Sequence, residues 1–209
     1  MNAELFYIHD PMCSWCWGFA GVKKQLFKSL PKNVIIRPLL GGLAADNDQP
    51  MSADMQRHIQ QNWRRIEDKI PDVKFNFDFW ENCLPRRSTY PACRAVIAAR
   101  LQGERYDEVM TDRIQQAYYQ EARNPSDNET LIGLATDIGL DHHCFSRDLV
   151  ADATQQTLMK EIRLSRKLHA DSLPSLALKV NDSIWPVTID YLEVSPMLEL
   201  IEMFLEMEE

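Results

Sequence analysis

The sequence predicts an α/β protein: a mixed sheet formed by a βαβ unit and a later ββα unit, with an all-helical block inserted between them. Three observations predict it. Strand-like runs rich in β-branched and aromatic residues occur near the two ends of the chain. The first two of these runs are separated by one stretch with apolar residues at helical spacing. From about Gln49 to Leu168 the apolar spacing is mostly helical. The sheet-bearing part is therefore expected at residues 1–48 and 169–209, and the helical insertion at 49–168.

Glu4-Leu5-Phe6-Tyr7-Ile8-His9 reads as the first strand. Asp10-Pro11 turns the chain, because proline cannot join a strand ladder and suits early turn positions. A helix follows to about Leu30, with Phe19, Val22, Leu26, Phe27 and Leu30 at its apolar positions. Asn33 to Pro38 is a second strand, ended by Pro38 and the Gly41-Gly42 pair. Strand, crossover helix and strand predict a parallel, right-handed βαβ unit.

In the middle, Ser52 is an N-cap candidate for a helix to about Ile70 with a narrow apolar stripe. Phe75, Phe77 and Phe79 alternate, as a short strand or a loop burying aromatics would. Pro91 near a first turn opens a small, apolar helix, and another covers Tyr106 to about Gln120. Asn128 and Thr154 are cap candidates for two more, and between these another helix begins at Asp141 and runs to about Val150. Ser175–Val180 and Ser183–Val187, separated by Asn181-Asp182, predict a β-hairpin. Ser195-Pro196 opens a final helix.

Composition narrows the function classes. At 209 residues, 45% hydrophobic and 26% charged, the chain suits one domain or one domain carrying a large insertion. A net charge of −8 argues against a nucleic-acid surface, which wants excess Lys and Arg. No run reaches the ~18 apolar residues of a membrane helix. No basic segment followed by an apolar one precedes the first strand, so no signal peptide is expected and the cytoplasm is the expected compartment. Structural disulfides are not expected there, and five cysteines is an odd number.

The chemistry concentrates in Cys13-Ser14-Trp15-Cys16, where a strand becomes a helix. The first turn of a helix presents free N–H groups and the positive end of the macrodipole, which stabilise a thiolate. Cys13 is the candidate nucleophile. Cys16, three residues on, shares its helix face and is the candidate resolving thiol. A zinc site would need a second pair of ligands at suitable spacing. Cys83, Cys93 and Cys144 form no second C-x-x-C, and His142-His143-Cys144 are adjacent in the chain, so no metal is expected. His9, four residues before Cys13, is a candidate modulator, since a cationic imidazole there would favour the thiolate; an exposed strand-end histidine is the alternative.

The stretch Asp10 to Phe19 resembles the DsbA-like thioredoxin superfamily, and within it the cytoplasmic, FrnE-like branch of bacterial proteins. The similarity continues through Arg37 to Leu43, Tyr90 to Ala95 and Asp171 to Leu176. It implies a thioredoxin-like fold with a helical insertion and thiol–disulfide oxidoreductase activity, as reductase or protein-disulfide isomerase. Cys13 would attack and Cys16 resolve. It also implies a cis Leu173-Pro174 bond facing the cysteines, with Leu173 pairing by backbone to substrate. Ser14 and Trp15, lying between the cysteines, would border the substrate. The dipeptide differs from the Pro-His of periplasmic oxidases, so strongly oxidising behaviour does not carry over.

The expected partners are a disulfide-containing protein or small molecule and a recycling thiol. No cofactor is expected, with glutathione admitted as a thiol partner. Two other readings remain open. One is a glutathione-dependent enzyme of the kappa-class transferase or 2-hydroxychromene-2-carboxylate isomerase type, which typically uses a serine. The other is a non-catalytic peptide-binding or chaperone module using the apolar surface near Trp15. Cys83 and Cys93 could pair, though free thiols suit a reducing compartment better.

Overall fold

The computed structural model describes residues 3–208; the outer limits of the predicted sheet-bearing part, residues 1–2 and 209, lie outside them. Strand β1 (Ala3–His9) is followed by helix α1 (Ser14–Ser29) and strand β2 (Val34–Leu40). Helices α2 (Ala53–Lys69), α3 (Phe79–Asn82), α4 (Tyr90–Arg100) and α5 (Tyr106–Tyr119) come next. Then follow α6 (Asn128–Asp137), α7 (His142–Leu149) and α8 (Asp152–Lys167). Strands β3 (Ser175–Val180) and β4 (Ser183–Val187) and helix α9 (Ser195–Met207) close the chain.

The four strands form one mixed sheet in the order β2-β1-β3-β4. β1 runs parallel to β2, with Leu5 opposite Ile36, and antiparallel to β3, with Leu5 opposite Leu178. The central strand is thus the one that delivers the chain to Cys13. Alternation along β1 sends Leu5 and Tyr7 against Phe19, Val22 and Leu26 of α1 and Met197 and Ile201 of α9. It sends Phe6 and Ile8 to the opposite face, with Leu39, Leu168 and Ala177. Pro186 lies on edge strand β4, where a missing N–H is harmless. Asn181 turns the β3–β4 hairpin with φ of 51°.

A separate core fills the helical part. Trp63 of α2 is fully buried at its centre, ringed by Phe75, Phe77, Phe79, Trp80, Tyr118 and Tyr119. The alternating phenylalanines are therefore not a strand: they lead into the single turn of α3 and pack around this indole. Two caps also differ from expectation. The α6 cap position is Asp127, one residue before Asn128. α8 begins at Asp152 behind Ala151, and Thr154 sits inside its first turn, donating its hydroxyl to the Asp148 carbonyl at 2.6 Å. Ser52 and Asp141 cap α2 and α7 through side-chain oxygens that accept the Met55 and Cys144 amides. Among the described residues no helix is long and apolar enough to cross a membrane.

Candidate functional site

β1 ends at His9, and the Asp10-Pro11 turn places Cys13 at the N-cap of α1. The Cys13 amide donates to the Asp10 carbonyl at 3.0 Å, and the Cys13 carbonyl accepts the amides of Cys16 and Trp17 at 2.9 and 3.2 Å. Cys16 lies in the first turn, 1% exposed. The Cys13 thiol, 5% exposed, donates to the Leu173 carbonyl at 3.3 Å. The Leu173-Pro174 peptide is cis.

Asp10, which reads from the sequence only as a turn residue, is fully buried and joins three segments. Its Oδ1 accepts the Met12 amide at 2.8 Å. Its Oδ2 accepts the Leu43 amide at 2.7 Å, the Thr89 hydroxyl at 2.6 Å and the Cys93 thiol at 3.4 Å. Burial pushes the carboxyl above its ordinary range, while the Thr89 hydroxyl and the Leu43 and Met12 amides pull it down. The cysteine turn, the loop after β2 and the start of α4 thus converge on one carboxylate.

A cavity of about 180 Å³ opens beside Cys13. Its lining brings together Cys13, Ser14, Trp15 and Leu173 from the predicted set, with His58, Asn62, Arg86 and Arg87 from the helical part. Arg86 is held by Asp127 at 2.6 Å, whereas Arg87 has no ion-pair partner among the described residues. Among the described residues no Asp or Glu lines the cavity, although the chain carries a net charge of −8. Ser14 Oγ accepts the indole N–H of Trp63 at 2.9 Å. Trp15 is half-buried edge-on against Tyr191, with ring centroids 5.0 Å apart. Trp17 is also half-buried: it stacks on Tyr119, with ring centroids 5.6 Å apart, and its indole N–H donates to the Lys74 carbonyl at 3.3 Å.

Burial pushes the Cys16 thiol well up, and the adjacent Cys13 sulfur pushes it the same way. Cys16 is therefore held as a protonated thiol beside Cys13. Tyr7 lies behind the pair; burial raises its hydroxyl first, and the Cys16 and Cys13 sulfurs add to the rise.

The cationic His9 does not stand. The ring is 2% exposed, stacked on Tyr7 with centroids 4.7 Å apart, and lines a different cavity with Lys23 and Phe27. Burial, then the charges of Lys23 and Arg100, lower its pKa to about 3. It is neutral at neutral pH and supplies no charge to Cys13. Nor is it the exposed strand-end histidine. Cys83 donates to the Ala122 carbonyl at 3.1 Å and Cys93 to Asp10, so the two are separate thiols. Among the described residues no group of three His, Cys, Asp or Glu side chains could hold a metal ion.

A helix-capping thiol facing a backbone carbonyl, with a second thiol buried one turn deeper, is equipped for attack on a sulfur followed by intramolecular resolution. Fold and site together define a thioredoxin-fold protein with an inserted helical part and a pair of thiols at the start of α1. The chain belongs to the thioredoxin family: the family profile described as Thioredoxin matches residues 6–184.

Solved structures share the whole architecture. One, from Nitrosomonas europaea and provisionally named a protein disulfide isomerase, is 24% identical with a TM-score of 0.85 and full coverage of both chains. The cytosolic disulfide reductase DsbM of Pseudomonas aeruginosa, also solved with GSH, is 23% identical with a TM-score of 0.75, over 98% of this chain and 99% of that one. A curated relative, the ClpXP adapter protein SpxH of Halalkalibacterium halodurans, is 24% identical over 87% of this chain and 60% of its own length. The chain thus spans about 60% of that relative.

Proposed function

We propose that this protein is a cytoplasmic thiol–disulfide oxidoreductase working through Cys13 and Cys16 as reductase or isomerase. The observation that carries the reading is the Cys13 thiol at the α1 N-cap, 3.3 Å from the Leu173 carbonyl. That carbonyl and its neighbouring backbone are the polar edge on which a substrate chain would align. The Cys13 thiolate attacks one sulfur of the substrate disulfide, forming a mixed disulfide and releasing the other sulfur as a thiolate that takes a proton. Cys16, losing its proton, attacks the Cys13 sulfur and expels the second substrate thiol. Two electrons pass to the substrate, and the Cys13–Cys16 disulfide remains for a thiol partner to reduce.

Glutathione is the thiol partner the site favours. The cavity beside Cys13 presents Arg87, which has no ion-pair partner among the described residues and suits an anionic thiol, and the DsbM neighbour was solved with GSH. The SpxH relatives supply a second reading, that of a protein-binding adapter acting without turnover.

One pair of variants separates them. Cys16→Ser is expected to trap a mixed disulfide on Cys13 with glutathione or a disulfide substrate, visible by mass and reversed by dithiothreitol. Cys13→Ser is expected to abolish disulfide reduction. Binding of a partner protein that survives Cys13→Ser, with no reduction by wild type, would favour the adapter.

A further inference from the structure

We propose that Trp63 is a positioning residue for the redox pair: its indole N–H holds the Ser14 hydroxyl between the two cysteines, and through that bond the helical insertion biases the Cys13–Cys16 equilibrium toward the dithiol. The inference rests on the redox reading above.

Ser14 is the first residue of α1, and its Oγ accepts the Trp63 N–H at 2.9 Å from a position 49 residues along the chain. Trp63 has no room to follow a movement of its partner. It is 0% exposed, with Phe75 stacked on it at 4.8 Å and Trp80, Phe77 and Tyr118 at 5.0, 5.5 and 5.6 Å between ring centroids. One turn beyond Ser14 on the same face of α1, Gly18 lets the helix lie close on α2. A Cβ there would stand 3.0 Å from Ile70 Cδ1 and 3.1 Å from Ile66 Cγ2. The first turn of α1 is therefore seated on α2 by backbone packing and one directed hydrogen bond.

The bond is made with both cysteines as free thiols and with the Cys13 sulfur turned to the Leu173 carbonyl. Forming the disulfide turns that sulfur toward Cys16 and shifts the first turn of α1, where Ser14 sits, while the packed indole stays fixed. A contact shifts an equilibrium only by its difference between the two states. Here the rigid donor matches the dithiol geometry, so it favours the dithiol. Losing the bond favours the disulfide and makes the pair more reducing.

The test is the equilibrium constant for oxidation by glutathione, measured by acid quench, thiol alkylation and mass, on wild type, Ser14→Ala, Ser14→Thr, Trp63→Phe and the Ser14→Ala/Trp63→Phe double variant. Ser14→Ala and Trp63→Phe are each expected to raise the constant about three- to tenfold, the range of one net hydrogen bond. The double variant should match either single within about twofold, since both remove the same bond. Ser14→Thr, which keeps the hydroxyl, should stay near wild type. A loss of stability common to both redox states cancels in this ratio, so a merely structural Trp63 leaves it unmoved. If Trp63→Phe does not fold, the comparison of Ser14→Ala with Ser14→Thr decides. A Ser14→Ala constant within about twofold of wild type, or single shifts that multiply in the double variant, overturns the inference. A wild-type protein that forms no Cys13–Cys16 disulfide overturns the redox reading itself.

Discussion

The Asp10 carboxylate accepts the Thr89 hydroxyl at 2.6 Å, tying the turn before Cys13 to the start of α4. All four mapped contacts of this buried carboxylate are donors: two amides, a hydroxyl and a thiol. Asparagine would turn an NH₂ group toward them. Asp10→Asn is therefore expected to destabilise by about 2–4 kcal/mol, close to Asp10→Ala, because a buried cluster of donors loses its acceptor in both. Urea unfolding of the three proteins checks it. Asp10→Asn within ~0.5 kcal/mol of wild type would mean the carboxylate is not the hub.

Gly41 underlies Leu173. A Cβ at Gly41 would lie 2.7 Å from Leu173 Cδ2 and 3.1 Å from Ile8 Cγ2, and the Gly41 amide is fixed to the His9 carbonyl at 2.7 Å. Leu173 is the neighbour able to move, and the methyls that must give way belong to the residue whose carbonyl faces Cys13. Gly41→Ala is expected to lower kcat/KM for disulfide reduction about tenfold or more, as sub-ångström misplacement at a reacting centre does. Its effect on stability should be smaller, within the range of one overpacked methyl. Parallel rate and unfolding measurements distinguish the two effects.

His9 predicts a pH dependence. Its folded pKa is depressed to about 3 from 6.5, so between these values the unfolded chain binds a proton that the folded one refuses. The neutral ring's contribution is present above pH 6.5 and is lost as pH falls toward 3, by up to about 1.4 kcal/mol per pH unit. His9→Phe, which keeps the stack on Tyr7, should remove that component and flatten the decline relative to wild type between pH 6.5 and 4.5. Denaturant unfolding across that range measures the difference, and parallel slopes would contradict a buried neutral His9.

Much of the scaffold was legible because periodicity is local. The alternation in β1, the helical spacing of Phe19, Val22 and Leu26, and the Asn181-Asp182 turn all act within a few residues. Cys13 and Cys16 were legible because four residues carry the motif. Leu173 came through resemblance, and nothing between residues 14 and 172 would have brought it to Cys13 by spacing alone. What escaped is long-range polar pairing. Asp10 meets partners 33, 79 and 83 residues away, and Ser14 meets Trp63 49 residues away. His9 escaped for a related reason: a strand end gives no sign that α1 and α5 will bury it beside Lys23 and Asp107. The alternating Phe75, Phe77 and Phe79 matched a strand's period while serving as walls around one indole.

In the proposed reaction Cys13 and Cys16 form one two-electron couple. A redox titration against glutathione, followed by tryptophan fluorescence and checked by peptide mass, tests it directly. The expected result is a single transition with a disulfide confined to Cys13 and Cys16. A midpoint near about −270 mV would assign a reductase, and one between about −180 and −120 mV an isomerase or oxidase. Glutathione that binds while Cys13 and Cys16 remain thiols, or oxidation that appears only at Cys83, Cys93 or Cys144, would contradict it.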